Sequence, residues 1–203
     1  MRTIFLVRHP EITDHASRRF YGWSDIGLSH RGICQTRMLI ERLAGEDIRS
    51  IYSSDLYRAH YPASLVARSL NVSHISSGSF REIHFGDWEG LTYEEMEKTA
   101  PELCRTWLTL ADDFRFPGGE SIGEFHRRIR QCYDAAAGSS VQGNLAIITH
   151  GGVIRTLLCW ILGIDISRMW EIHLDFGSVS SIRFDDGAAP PQVMAVNDVD
   201  YLR

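Results

Sequence analysis

The sequence predicts an α/β protein, a three-layer α/β/α sandwich with a mainly parallel sheet and helices on both faces. Two observations carry this. Short apolar runs at Ile4-Phe5-Leu6-Val7, Ile48–Ser53 and Leu145–Thr149 are too brief for helices and read as strands buried on both faces. Between them lie longer stretches whose apolar residues recur every three or four positions, as in amphipathic helices.

In order along the chain, the first strand is followed by a polar, glycine-containing stretch to Asp25. Ser29 then reads as the N-cap of a helix whose inner face carries Ile33, Thr36, Leu39, Ile40 and Leu43, closed by Gly45. After the second strand, Ser54 to Leu70 is helical, with Ala63, Val66, Ala67 and Leu70 on one face. Pro62 predicts that this helix starts near it or kinks at it, because proline lacks the N–H a helix interior needs. Residues 86–120 carry Trp88, Trp107, many acids and the turn Phe116-Pro117-Gly118-Gly119, and read as a mostly helical cap. Ser121 with Glu124 forms a capping box for a helix to Ala137, ended by Gly138. The third apolar strand precedes a helix over Gly152–Leu162, and alternation from Ile172 to Val196 predicts two or three closing strands.

The 203 residues suit a single domain, 1–203, with the cap inserted at about 86–120. With 26 acidic groups against 21 basic ones, the net charge of −5 argues against nucleic acid or an anionic membrane as partner. No apolar stretch approaches the ~20 residues of a membrane span, and the N-terminus does not resemble a signal peptide. Cys34, Cys104, Cys132 and Cys159 are widely spread and form no CxxC pair, which suits a reduced, cytoplasmic protein. None of the nine histidines lies three or four residues from another, so no metal is expected, and no cofactor. P-loop and dinucleotide motifs are missing. Oligomeric state stays open.

In open α/β sheets, ligands bind beyond the carboxyl ends of the strands. The first strand ends in Arg8-His9, the second leads to Arg58, and the third ends in His150 followed by Gly151-Gly152 at a helix start. Two histidines, two arginines and free helix amides on one rim suit a phosphoryl group, since guanidinium forks and helix N-termini both attract anions.

The ordered motifs resemble the histidine phosphatase superfamily, which includes the phosphoglycerate mutases. Leu6-Val7-Arg8-His9 is similar to its signature, and Gly22 to Gly32 to its G-x-x-D-x-x-L-S/T-x-x-G stretch. Ser53 to Ala59 resembles the second-arginine motif, Glu82 with Gly86-Asp87-Trp88-Glu89-Gly90 the segment bearing the acid, and Thr149 to Gly152 the second-histidine motif. Asn197 fits the closing strand. The resemblance implies that His9 is the nucleophile, forming a phosphohistidine that water hydrolyses. Arg8, Arg58, His150 and Gly151 would hold the phosphoryl oxygens, and Glu82 would protonate the leaving oxygen. The competing role for Glu82 is an ion pair with Arg81 or Arg58. Two positions depart from the family pattern: Pro10 stands for the usual glycine, and Pro62 for the usual threonine.

Length and the lack of an E-R-x-Y-G segment favour the phosphatase branch, especially the α-ribazole-5′-phosphate phosphatases of cobalamin synthesis and the broad-specificity phosphatases. The implied function is a metal-independent phosphomonoesterase acting on a small phosphorylated metabolite. Two alternatives are a phosphoglycerate mutase-type phosphotransferase and a non-catalytic phospholigand-binding member. Trp88, Tyr93, Trp107 and Phe114 either stack a ring-bearing leaving group or form the cap's own core, the latter being favoured. Arg115 is a candidate exposed specificity residue.

Overall fold

Strand and helix alternate along most of the chain in the computed structural model, which describes residues 1–138, 143–185 and 190–203. The strands are β1 (Arg2–Arg8), β2 (Ile48–Ser53), β3 (Ser73–Ser76), β4 (Asn144–Thr149), β5 (Val179–Phe184) and β6 (Gln192–Asp198). The helices are α1 (His30–Ala44), α2 (Tyr57–Leu70), α3 (Tyr93–Thr99), α4 (Pro101–Leu108), α5 (Ile122–Ala137) and α6 (Gly151–Leu162). The sheet order is β3-β2-β4-β1-β5-β6. The four strands from β3 to β1 pair in parallel, and β5 and β6 close the edge antiparallel.

Side chains alternate across a strand, so each apolar run feeds two cores at once. Phe5, Val7, Ala146 and Ile148 pack with Leu39 and Leu43 of α1 and Ala63 and Val66 of α2. Ile4, Leu6, Leu145 and Ile147 pack on the other face with α5, α6 and the 86–120 segment. This is the three-layer sandwich that the alternating pattern predicts.

The helix boundaries follow local chemistry. Ser29 Oγ accepts from the Gly32 amide at 3.0 Å, and Gly45 ends α1. At α5 both halves of the capping box form, between Ser121 and Glu124, and Gly138 ends the helix. Pro62, by contrast, sits inside α2, five residues after Tyr57. The helix therefore starts well before it, and buried packing of Ala59, Ala63, Val66 and Ala67 offsets the missing bond.

The 86–120 segment is less helical than its composition predicts. Beyond a 3-10 turn at Gly86–Trp88, α3 and α4, it runs as turns from Thr109 onward. Gly86 has φ +58°, and a Cβ there would lie 2.0 Å from the Pro117 carbonyl oxygen, so two turns interlock where only glycine fits. Trp107 centres this region, with Phe20, Phe85, Phe116 and Trp170 rings 5.3 to 6.1 Å away, mostly edge to face. In the tail, two strands, β5 and β6, form among the described residues, within the expected two or three, Ile166–Glu171 is a 3-10 helix, and 186–189 lie outside the described residues. Among the described residues, no helix is long and apolar enough to cross a membrane.

Candidate active site

The register of the central strands sets the site. Arg8 pairs with Thr149 and Ser53 with Ile148, so β1, β4 and β2 end level and release His9, His150 and the turn to Arg58 on one rim. The His9 amide donates to the Thr149 carbonyl at 2.8 Å, which continues the parallel ladder one residue past β1. Six of the predicted residues, Arg8, His9, Arg58, Glu82, His150 and Gly151, line one cleft of about 350 Å³, Gly151 from the start of α6.

The two imidazoles are held in opposite tautomers. His9 Nδ1 lies 2.8 Å from the Pro10 carbonyl, which can only accept, so Nδ1 carries the proton and Nε2 is bare. His150 Nδ1 lies 3.2 Å from Arg58 Nε, which can only donate, so Nδ1 accepts and the proton sits on Nε2. His150 Nε2 is buried and has no hydrogen-bond partner among the described residues. The ring centroids are 5.2 Å apart. Burial pushes the pKa of His9 well below the ordinary histidine value, with the Arg58 and Arg8 charges adding to the shift. Burial does the same to His150, helped by Arg58. Both rings are therefore neutral at pH 7. Pro10 gives up an amide, yet its carbonyl orients the imidazole.

The cations are tightly braced. Arg8 lies over the Phe176 ring, 4.0 Å from its centroid, and donates from Nη1 to the Leu174 carbonyl at 2.6 Å. Its Nε is buried without a hydrogen-bond partner among the described residues. Burial, then the nearby Arg155 charge, lowers its pKa to about 10. Arg58 is 1% exposed and donates to the carbonyls of Tyr21, Gly22 and Ser24 at 2.7 to 3.1 Å. Burial lowers its pKa to about 10 as well, against the raising effect of Glu82, Asp25 and Glu89. Both arginines stay charged at neutral pH.

Glu82 makes neither ion pair that the sequence allows. Arg81 forks onto Asp55 at 2.6 and 2.7 Å instead. The Glu82 carboxylate caps α6, accepting from the Gly152 amide at 2.8 Å and from its neighbour Ile83 at 3.0 Å. A Cβ on Gly152 would lie 2.3 Å from Glu82 Oε1, so glycine here makes room for the acid. The Glu82 carbonyl is fastened by the Trp23 indole N–H and by Arg128.

Sequence reasoning missed Arg155 and Phe176. Arg155 lines the cleft, donates to the Ile172 carbonyl at 2.9 Å and, among the described residues, makes no close ion pair, though the Glu82 charge acts on it from a distance. It stands one helical turn after Gly151, a spacing that puts both on one face of α6. Phe176 sits in an irregular loop and has no such periodic signal. Arg115 lies outside the cleft, paired with Glu124 at 2.5 Å, which corrects its candidacy as a specificity residue. Trp88 and Phe114 are core, as favoured, and Tyr93 packs partly buried against that core, while Trp107 both packs in the core and lines the cleft.

An uncharged buried imidazole among guanidiniums, at the carboxyl ends of parallel strands, defines an α/β protein built to handle phosphoryl groups. Residues 4–199 match the model of the histidine phosphatase superfamily (branch 1), and the chain belongs to that family. It is a histidine phosphatase, a phosphomonoester hydrolase. Phosphoserine phosphatase 1 of Hydrogenobacter thermophilus is 30% identical over 186 residues, covering 92% of this chain and 88% of that protein. The structure of an Entamoeba histolytica phosphoserine phosphatase mutant in complex with phosphoserine superposes with TM-score 0.85 at 25% identity, covering 100% of both chains. The α-ribazole phosphatase of Shigella flexneri shares the fold, with TM-score 0.85, 23% identity and 97% and 96% coverage of the two chains.

Proposed function

We propose that the cleft hydrolyses the phosphomonoester of a small metabolite through a phosphohistidine at His9. The opposite tautomers of His9 and His150 carry this reading. His9 Nε2, bare and neutral, attacks phosphorus; the N–P bond forms as the ester P–O bond breaks. Glu82, entering the step as the neutral carboxylic acid, gives its proton to the leaving oxygen. Water then attacks the phosphohistidine, returns a proton to Glu82, breaks the N–P bond and leaves inorganic phosphate. His150 Nε2–H, Arg8, Arg58 and the Gly151 amide hold the phosphoryl oxygens and the charge that gathers on them. Fixed guanidiniums and helix amides supply that charge without a metal.

The outer wall of the cleft includes Phe20, Phe85, Trp107, Phe125 and Trp170. That surface favours an apolar, ring-bearing leaving group, for which α-ribazole 5′-phosphate is the named candidate. Phosphoserine is the second reading, favoured by the Arg155 guanidinium in the cleft, which suits a substrate carboxylate.

Phosphate release with a chelator present tests the proposal, using α-ribazole 5′-phosphate, phosphoserine, 3-phosphoglycerate and an aryl phosphate. Turnover lost in His9→Ala supports the phosphohistidine route, and the preferred substrate selects the leaving-group class. Release untouched by His9→Ala overturns it. Isomerisation of 3-phosphoglycerate without phosphate release would point to the mutase alternative, and phosphate binding without turnover to the non-catalytic one.

A further inference from the structure

Glu89 is absent from the catalytic scheme, yet its carboxylate is the most heavily bonded acid next to it. It accepts from the amides of Gly22, Trp23 and Ser24 at 2.8 to 3.1 Å, from Ser24 Oγ at 2.6 Å and from the Phe85 amide at 3.2 Å. The carbonyls of the same loop face the other way. Those of Tyr21, Gly22 and Ser24 accept from the two Nη atoms of Arg58, whose Nε reaches His150 Nδ1. One short loop is thus gripped through its N–H groups by a carboxylate and through its C=O groups by a guanidinium. Little slack remains, because a Cβ at Gly22 would stand 1.9 Å from the Ile83 carbonyl.

We propose that Glu89 is a positioning residue: by holding the 22–24 loop it aims Arg58, and through Arg58 it keeps His150 in the tautomer that presents Nε2–H to the phosphoryl group. The physical step is peptide rotation. Without the carboxylate, three amides lose their acceptor and turn toward water, which carries the attached carbonyls off Arg58. Arg58 then recovers its bonds by shifting, and His150 Nδ1 loses the donor that fixes its tautomer. Asp25 adds to the same grip, since its carboxylate accepts from the Tyr57 amide at 2.8 Å, next to Arg58.

This inference rests on the phosphohistidine reading, and the experiment separates the two. Glu89→Gln, Glu89→Ala, Arg58→Ala and the Arg58→Ala/Glu89→Gln double variant would be compared by steady-state kinetics and by 15N NMR of His150. Glu89→Gln should lower kcat by roughly tenfold or more with KM changed less than about threefold, as for a group acting on the transition state. In the Arg58→Ala background it should change kcat no further, because the path to His150 is already cut. The His150 15N shifts should move from a single Nε2–H tautomer toward a mixture. A kcat within twofold of the parent, losses that multiply in the double variant, or an unmoved tautomer overturns the proposal. If Glu89→Ala fails to fold, Glu89→Gln, which keeps shape and one acceptor, decides alone. A parent enzyme that turns over without labelling His9 sinks the phosphohistidine reading instead.

Discussion

Gly152→Ala is a one-methyl test of Glu82. The added Cβ would sit 2.3 Å from Glu82 Oε1 and 3.0 Å from its carboxyl carbon, against an ordinary contact of about 3.4 Å or more. The three nearest atoms all belong to that one flexible side chain, so the carboxylate yields rather than the backbone. Relief requires a shift of about 1 Å, which draws Oε2 away from the Gly152 amide. Stability should hardly change, since alanine gains up to about 1 kcal/mol of helix propensity and one hydrogen bond of about 1 kcal/mol is lost. Catalysis should suffer more, because a 1 Å misplacement of a reacting group costs roughly 10²-fold. The loss should also depend on the leaving group. The alkoxide of an alkyl phosphate needs protonation as it departs, so that substrate should slow by about 10²-fold, whereas 4-nitrophenolate departs as a stable anion, so 4-nitrophenyl phosphate should slow by only a few-fold. Equal losses on both substrates, or no loss on the alkyl ester, would refute Glu82 as the proton donor.

Three further outcomes follow from the same geometry. Folded His9 and His150 resist protonation, so below pH 6.5 the unfolded chain takes up protons that they refuse. Stability should fall with falling pH by about 1.4 kcal/mol per unit for each histidine, from pH 6.5 down toward their folded pKa values; urea titrations across pH 4.5–7.5 read the slope, and His150→Gln should lessen it. Arg155→Met removes a cleft cation and should raise KM by roughly fivefold, about 1 kcal/mol, with kcat nearly kept; an unchanged KM would leave Arg155 as a brace for Ile172 only. Trp107→Ala empties the centre of an aromatic cluster at a residue only 4% exposed and should cost about 3–5 kcal/mol by denaturant unfolding.

Much of this architecture is legible in the sequence because it is local. Strands buried on both faces read as apolar runs, and Ser29, Gly45, Ser121 with Glu124 and Gly138 mark helix ends through bonds spanning three or four residues. The rim residues are legible because strand ends in an α/β sheet have a known place relative to ligand. What is not legible depends on distant partners. Pro62 sits inside a helix because tertiary packing overrides a local penalty. The turns of 109–120 are set by contacts such as Gly86 on Pro117, about thirty residues apart. Glu82 and Arg81 are adjacent in sequence, yet one turns to the start of α6 and the other to Asp55. Arg155 was open to an i,i+4 reading from Gly151; Phe176 and the Glu89 hub were not, since their partners lie far along the chain.

The most direct test of the account is a rapid-quench reaction with 32P-labelled substrate, followed by mapping of the label. Base-stable, acid-labile phosphate should appear on His9, approaching one phosphoryl group per chain when hydrolysis is slowed, and none in His9→Ala. Turnover through many cycles with no label on His9, or with label on another residue, would contradict it.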